Sequence, residues 1–242
     1  MSSVEKEFDN IYNTSKVEIE LNISKKEVLR YLGYKINSIV DDKTDRLIDE
    51  CVNEVKEIAR KNYSYRFYNI AVDNGLLLLE TGVSFKGEDI ISHLKDCSKC
   101  WVIAVTLGIN VDNRLRLYNK TELSKALVFD ACASVAIESL CDVVNSLIRR
   151  IASNNGFGIT TRYSPGYGDL SLEHQRDILT LIEGGKIGLT CNDENILIPR
   201  KSITAIIGMG KDVKEDNKSC DICSFQNNCL FVKDGDVCAT ER

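Results

Sequence analysis

The residues best suited to chemistry lie in one short segment, Arg-Tyr-Ser-Pro-Gly-Tyr-Gly at 162–168. The guanidinium of Arg162 can form a pair of parallel hydrogen bonds with a carboxylate. Pro165 and Gly166 favour a rigid turn whose main chain a ligand can approach closely, and Tyr167 adds an aromatic face with a polar tip. These groups suit a cofactor that carries an amino acid and an aromatic base. Taken alone, the composition favours the alternative, an ordinary strand-to-helix turn with a surface arginine.

A second candidate site is a cysteine cluster near the C-terminus. It consists of four of the ten cysteines, Cys220, Cys223, Cys229 and Cys238. Four thiolates can bind a zinc ion or an iron–sulfur cluster, and this spacing does not separate the two. A segment this short needs a cross-link to fold, and a reducing compartment disfavours disulfides, so bound metal is predicted. Unligated or redox-paired thiols are the alternative.

The other cysteines are interpreted differently. Four of them stand singly in apolar stretches and are expected to be small buried hydrophobes: Cys51, Cys132, Cys141 and Cys191. Cys97 and Cys100 form a lone Cys-x2-Cys pair, which is weak support for a metal or redox role.

The composition narrows the class of protein. The chain has 242 residues, 43% of them hydrophobic, and a net charge of −5 with scattered Lys and Arg, so no nucleic-acid or anionic-membrane surface is indicated. There is no apolar run of about 18 residues, and residues 1–15 are polar and acidic, unlike a signal or transit peptide. A soluble, cytoplasmic protein is expected. P-loop and GxGxxG motifs are absent, and two histidines make His-based triads improbable.

The helices that must position these residues follow from apolar spacing. They are expected near 24–33, 42–61, 88–96, 121–153 and 171–184. The first begins at a capping box formed by Ser24 and Glu27. The segment 121–153 is rich in Ala, Ser and Cys, which allows close packing of one face.

Strands are expected at 17–23, 63–72, 76–80, 101–107, 157–163, 186–190 and 202–208. Asn74-Gly75 predicts a hairpin turn, and the continuously apolar 101–107 predicts a buried central strand. Paired strands with long helices indicate an α+β fold with a mixed or antiparallel sheet.

Three parts of the chain differ in composition. Residues 1–210 are expected to form the α+β domain, 211–219 a charged linker, and 220–242 a small Cys-rich metal-binding tail.

The segment 162–167 resembles the Arg-x-x-Pro-Gly-Tyr loop of the activation domain of cobalamin-dependent methionine synthase. The helix containing Asp130–Ser134 and Ile137-Glu138 resembles the alanine-rich helix of that family, and 201–208 resembles its small-residue strand. Residues 23–35 resemble the short stand-alone proteins of this family found in anaerobic bacteria.

The resemblance implies binding of S-adenosyl-L-methionine (AdoMet) in a shallow groove. Arg162 would hold the AdoMet carboxylate, the main chain at Ser164 and Gly166 would contact the ligand across the Pro165 turn, and Tyr167 would flank it.

The sequence also departs from the family pattern. The loop continues with Gly168-Asp169, and an acidic residue that helps to bind AdoMet in the family has no match here. Glu138 falls at an acidic family position but is expected to be an ordinary helix-surface carboxylate.

The implied function is reactivation of methionine synthase, in which cob(II)alamin is reduced and then methylated by AdoMet. That step needs positioning and no general base. The sequence lacks the Asp-x-His-x-x-Gly corrinoid motif, so a separate corrinoid-carrying core methionine synthase is the expected partner, with an electron-donor protein as a further candidate. The need for an electron favours iron–sulfur over zinc in the tail. The alternatives are a reductive activator of another corrinoid methyltransferase and a non-catalytic binding module with a structural zinc tail.

Overall fold

The computed structural model describes residues 19–35 and 38–213. Its helices are α1 (Lys25–Tyr31), α2 (Asp42–Ile58), α3 (Glu88–His93), α4 (Ile109–Thr121), α5 (Leu123–Asn154) and α6 (Gln175–Leu181). Its strands are β1 (Asn62–Asp73), β2 (Leu76–Leu79), β3 (Ser84–Lys86), β4 (Lys99–Thr106), β5 (Gly158–Ile159), β6 (Thr190–Cys191), β7 (Leu197–Ile198) and β8 (Ser202–Gly210). Short 3₁₀ turns occur at Leu172–His174 and Gly184–Ile187.

Six strands form one antiparallel sheet in the order β3-β2-β1-β4-β8-β5, and β6 pairs with β7 separately. The predicted α+β class is confirmed. The hairpin prediction is also confirmed, because Asn74 and Gly75 have positive φ angles of 48° and 75° and join β1 to β2.

The sheet separates two apolar layers, and β4 contributes alternate side chains to each. Trp101, Ile103 and Val105 face the layer formed with α2 and α5. Cys100 and Val102 face the layer that contains residues of α3 and α6. Because both faces of β4 are covered, its sequence is continuously apolar, as predicted.

Helix α5 is the main cover of one sheet face, and small residues let it lie close. Its buried positions include Ala126, Ala131, Cys132, Ala133 and Ala136. Its other neighbours include α2, whose Ile48, Cys51 and Val55 are fully buried. The predicted long helix with a shallow face is thereby confirmed.

The predicted strand at 17–23 does not form over its described part. Residues 19–23 alternate between buried and exposed but pair with no strand among the described residues. Polar side chains bond this main chain instead, since Ser139 Oγ accepts from Asn22 N (2.9 Å) and Lys61 Nζ donates to Ile19 O (2.6 Å). The alternation therefore reflects burial and not sheet pairing.

The capping box predicted for α1 is wrong, although the helix is present. Ser24 is the N-cap residue, but its side chain makes no capping hydrogen bond. The Glu27 carboxylate accepts instead from Arg30 Nε (3.0 Å), which removes it from the box.

Other boundaries differ from expectation. The strand predicted at 157–163 shortens to β5, because Thr160 Oγ1 accepts from Gly208 N (2.9 Å) in place of a strand carbonyl. The strand predicted at 186–190 begins only at Thr190, after a 3₁₀ turn that ends at Ile187. Helix α4 was not predicted.

No helix in the described ranges is long and apolar enough to cross a membrane. The predicted linker is described as far as Val213, and the predicted tail at 220–242 lies outside the described residues.

Candidate functional site

The loop at 162–168 leaves the sheet at its β5 edge. Tyr163 forms an isolated bridge with β8, in which its N–H donates to Ile206 O (2.9 Å) and its carbonyl accepts from Ile206 N (2.8 Å). This bridge fixes the start of the loop. It places the Arg162 side chain against α5, whereas the Tyr163 ring packs in the opposite layer.

Arg162 is held by two carboxylates that lie one helical turn apart on α5. Its Nη1 donates to Asp142 Oδ1 (2.9 Å) and its Nη2 to Glu138 Oε2 (3.4 Å). Burial opposes the positive charge, but Cys141, Asp142 and Glu138 outweigh it and raise the pKa of Arg162 above its ordinary value. The guanidinium is therefore charged and held in a fixed orientation.

Neither acidic partner was assigned this contact from the sequence. Glu138 is not the ordinary helix-surface carboxylate that was expected, because it faces Arg162. Asp142 was missed altogether. Their four-residue spacing on the helix is the signal that could have grouped the two, since such residues share one face.

Glu138 and Asp142 belong to a polar stripe on α5, which we define as Asp130, Ser134, Glu138 and Asp142. Lys201 binds the other end of the stripe through Asp130 Oδ1 (2.8 Å) and Ser134 Oγ (2.8 Å). The stripe thus holds three carboxylates, and Arg162 and Lys201 each bind part of it.

The turn itself is closed by main-chain hydrogen bonds. Gly166 N donates to Leu170 O (2.7 Å), and Tyr167 N donates to Ser164 O (3.1 Å). Gly166 has φ +93°, a conformation that favours glycine. Pro165 is buried beneath the turn, whereas the Tyr167 side chain is 66% exposed. Because the Gly166 N–H is used within the loop, a ligand would meet its carbonyl or Cα.

Aromatic rings support the loop from the α3 side. The Tyr163 ring lies 6.4 Å from the Tyr167 ring and 5.2 Å from His93, measured between centroids. His93 Nε2 lies 2.9 Å from Thr161 O. Burial, followed by the charges of Asp89 and Asp169, raises the pKa of Tyr163, so its phenol remains neutral. None of these supporting contacts was predicted.

The cysteines near the site are packed and protonated. Burial raises the pKa of Cys141 to about 12 and that of Cys97 to about 11, and it raises the pKa of Cys100 further. Within 19–35 and 38–213, no three Cys, His, Asp or Glu side chains converge as metal ligands. The described residues therefore give no support for a metal site at the Cys97–Cys100 pair. The tail cysteines Cys220, Cys223, Cys229 and Cys238 lie outside the described residues.

Comparison with known proteins gives a structural match only. No family model matches the sequence, and no curated protein matches it significantly. Among solved structures, the MetH reactivation domain bound to AdoHcy matches with a TM-score of 0.58 and 12% sequence identity, covering 77% of this chain and 73% of that one. At this identity the likeness is one of fold. The chain therefore shares the fold of the MetH reactivation domain, as the motif resemblance implied.

Proposed function

We propose that this chain binds AdoMet beside the loop at 162–168 and supports reactivation of a cobalamin-dependent methionine synthase. One observation carries the proposal. The Arg-x-x-Pro-Gly-Tyr segment lies at the sheet edge of a fold shared with the MetH reactivation domain bound to AdoHcy, with Arg162 held in place against α5.

The site's charges fit the amino-acid part of AdoMet. Asp142 and Glu138 each accept a hydrogen bond from Arg162, and the remaining N–H donors of its guanidinium suit a ligand carboxylate. The carboxylates of the polar stripe suit the ammonium and sulfonium groups. Tyr167, largely exposed beside the turn, suits an aromatic base or a ribose.

The contribution of these residues to the reaction would be positioning. Bound AdoMet supplies an electrophilic methyl group to reduced cobalamin. The residues of this chain would hold that ligand in a fixed direction, which lowers the barrier through proximity. Both histidines are engaged elsewhere, His93 with Thr161 O and His174 with Asp177 and Lys86 N, which fits a reaction without a general base.

The partner in this proposal is a corrinoid-carrying core methionine synthase, because the Asp-x-His-x-x-Gly motif is absent from the sequence. The electron would come from a donor protein or from an iron–sulfur cluster in the tail. We retain the assignment of Cys220, Cys223, Cys229 and Cys238 as ligands of one metal centre, with zinc as the alternative metal.

Calorimetric titration of the full chain with AdoHcy and AdoMet tests the binding step. Saturable binding of both is expected, and no heat at millimolar ligand would refute the proposal. Adding the AdoMet-loaded chain and a reductant to a core synthase in the cob(II)alamin state should then produce methylcobalamin. If AdoMet binds but no methylcobalamin forms, the chain is a binding module and not a reactivation partner.

The tail is tested separately by metal analysis of anaerobically purified protein. A brown chain that bleaches on reduction is expected, and Cys229→Ser should lose the bound metal. Colourless protein with stoichiometric zinc would contradict the iron–sulfur assignment. Full retention of metal by Cys229→Ser would contradict the shared centre.

A further inference from the structure

We propose that Asp169 and Asp89 are positioning residues that hold the AdoMet loop in its binding conformation. This inference rests on the proposed function of the loop. The two aspartates and the main-chain N–H groups that they bind are called the carboxylate clamp below.

The carboxylate clamp is reciprocal. Asp169 Oδ2 accepts from Glu88 N (2.6 Å), and Asp169 Oδ1 accepts from Asp89 N (3.2 Å). In return, Asp89 Oδ2 accepts from Asp169 N (3.2 Å). Each carboxylate therefore bonds the main chain of the other segment, and the pair joins the end of the loop to the first turn of α3.

Helix α3 requires this contact because it lacks a cap of its own. Its N-cap residue is Gly87, which has no side chain that could accept from the first helical N–H groups. Asp169, 80 residues away from Asp89 in the sequence, takes that role. Loss of the Asp169 carboxylate would remove two of the three bonds of the clamp and leave only the bond from Asp169 N to Asp89 Oδ2.

Two glycines give the carboxylates room. A Cβ on Gly87 would stand 2.7 Å from Asp169 Oδ1. A Cβ on Gly168 would collide with Asp89 Oδ2, and Gly168 has φ +49°. Gly168 and Asp169 follow directly on the Arg-x-x-Pro-Gly-Tyr segment, so the clamp lies at the end of the loop.

The clamp is one of two anchors between which the ligand-binding residues lie. The Tyr163–Ile206 bridge fixes the start of the loop, and Asp169 fixes its end. Between them, the turn is closed by short-range main-chain bonds such as Gly166 N to Leu170 O. Without the second anchor, the end of the loop would be less ordered, and a ligand would have to order it on binding.

The test combines Asp169→Ala, Asp169→Asn and Gly87→Ala, with Asp193→Ala as a control at a fully exposed aspartate. In ligand-free protein, hydrogen exchange at the Gly166 and Leu170 amides should accelerate about tenfold in Asp169→Ala. The AdoHcy Kd should rise by about the same factor. Asp169→Asn keeps one carbonyl acceptor and should fall between Asp169→Ala and the wild type.

Gly87→Ala should disrupt the contact between Asp169 and the start of α3 without changing Asp169 itself. Its φ of 161° is an extended conformation that alanine can adopt, so the added Cβ acts mainly by displacing Asp169. It should weaken AdoHcy binding in the wild-type background and have no further effect in Asp169→Ala. A merely structural role would instead lower the free energy of unfolding in Gly87→Ala and in Asp169→Ala and leave the AdoHcy Kd of both variants unchanged.

The outcomes are distinguishable. Failure of the wild type to bind AdoHcy refutes the proposed function, and the exchange measurement alone then decides whether the clamp anchors the loop. Unchanged exchange in both Asp169→Ala and Gly87→Ala overturns the clamp. Accelerated exchange with an unchanged Kd overturns its positioning role, and so does additivity of Gly87→Ala with Asp169→Ala.

Discussion

The loop at 162–168 is supported on two sides by contacts of different kinds. On the α5 side, a charged side chain meets charged side chains, because Arg162 bonds Asp142 and Glu138. On the α3 side, the carboxylates of Asp169 and Asp89 bond main-chain N–H groups. The first arrangement leaves guanidinium donors suited to a charged ligand, whereas the second consumes its donors in fixing the backbone.

This difference predicts that the two sides contribute to ligand binding in different ways. Changes on the α5 side should alter recognition of the ligand's charges, with a dependence on salt concentration. Changes on the α3 side should alter the order of the loop, with little dependence on salt.

The largest effect is expected at Arg162. Arg162→Ala removes charge-assisted hydrogen bonds, so AdoMet affinity should fall by about 1.5 to 3 kcal/mol, roughly a 10- to 150-fold rise in Kd. Calorimetry at two salt concentrations measures the loss, and circular dichroism should show an unchanged fold.

Arg176→Ala is a matched control, because Arg176 is 56% exposed and its partners Asn192, Asp193 and Asn195 all lie outside the loop. It should leave the AdoMet Kd unchanged. An Arg162→Ala variant with native circular dichroism and wild-type affinity would remove the α5 side from the binding site.

The features that could be predicted from the sequence are those set by neighbouring residues. The hairpin at Asn74-Gly75, the buried strand β4 and the long helix α5 follow from local residue types and periodicity, and all three are present. The loop is a candidate site because Arg162 and Tyr167 lie in one short motif.

The partners of the loop could not be predicted in the same way. Asp142 lies 20 residues before Arg162, and Asp89 lies 80 residues before Asp169. Such pairs are set by how α5 and α3 pack against the sheet, and local sequence does not say which residue of the loop each carboxylate meets. Local reasoning also failed at Ser24 and Glu27, where a salt bridge to Arg30 replaces the capping box.

The two sides also differ in their buried thiols. Burial raises the pKa of Cys141, beside Arg162, to about 12, and that of Cys97, on the α3 side, to about 11. The pKa of a thiol in an unfolded chain is about 8.5. Above that pH, the unfolded state therefore releases protons that the folded state keeps. The free energy of unfolding should therefore fall as pH rises, by up to about 1.4 kcal/mol per pH unit for each thiol.

Urea unfolding between about pH 8 and 10 measures this slope. Cys141→Ala should reduce the slope, although it also lowers stability at neutral pH by leaving a cavity. Alkylation of the native protein should modify the half-buried Cys97 before Cys141. Faster alkylation of Cys141 would show that the α5 side is more open than the structure indicates.

A smaller effect separates the two acidic partners of Arg162. Asp142 lies 2.9 Å from the guanidinium and Glu138 lies 3.4 Å from it, so Asp142 should hold the side chain more firmly. Asp142→Asn should raise the AdoMet Kd by about fivefold, and Glu138→Gln by less. Calorimetry at low and high salt should show the difference shrinking as salt increases. Equal effects of the two variants would mean that net charge matters more than orientation.

The smallest effect on affinity is expected at His93, on the α3 side. His93 Nε2 lies 2.9 Å from Thr161 O, and its ring packs against Tyr163. His93→Phe keeps an aromatic ring but removes the hydrogen bond, so unfolding should require about 1 kcal/mol less free energy. Because the charges around Arg162 are untouched, the AdoMet Kd should change by less than about twofold at any salt concentration. Urea unfolding and calorimetry on one preparation provide both values. A salt-dependent loss of affinity in His93→Phe would mean that the two sides of the loop are coupled. The prediction that the α3 side acts on loop order and not on charge recognition would then be wrong.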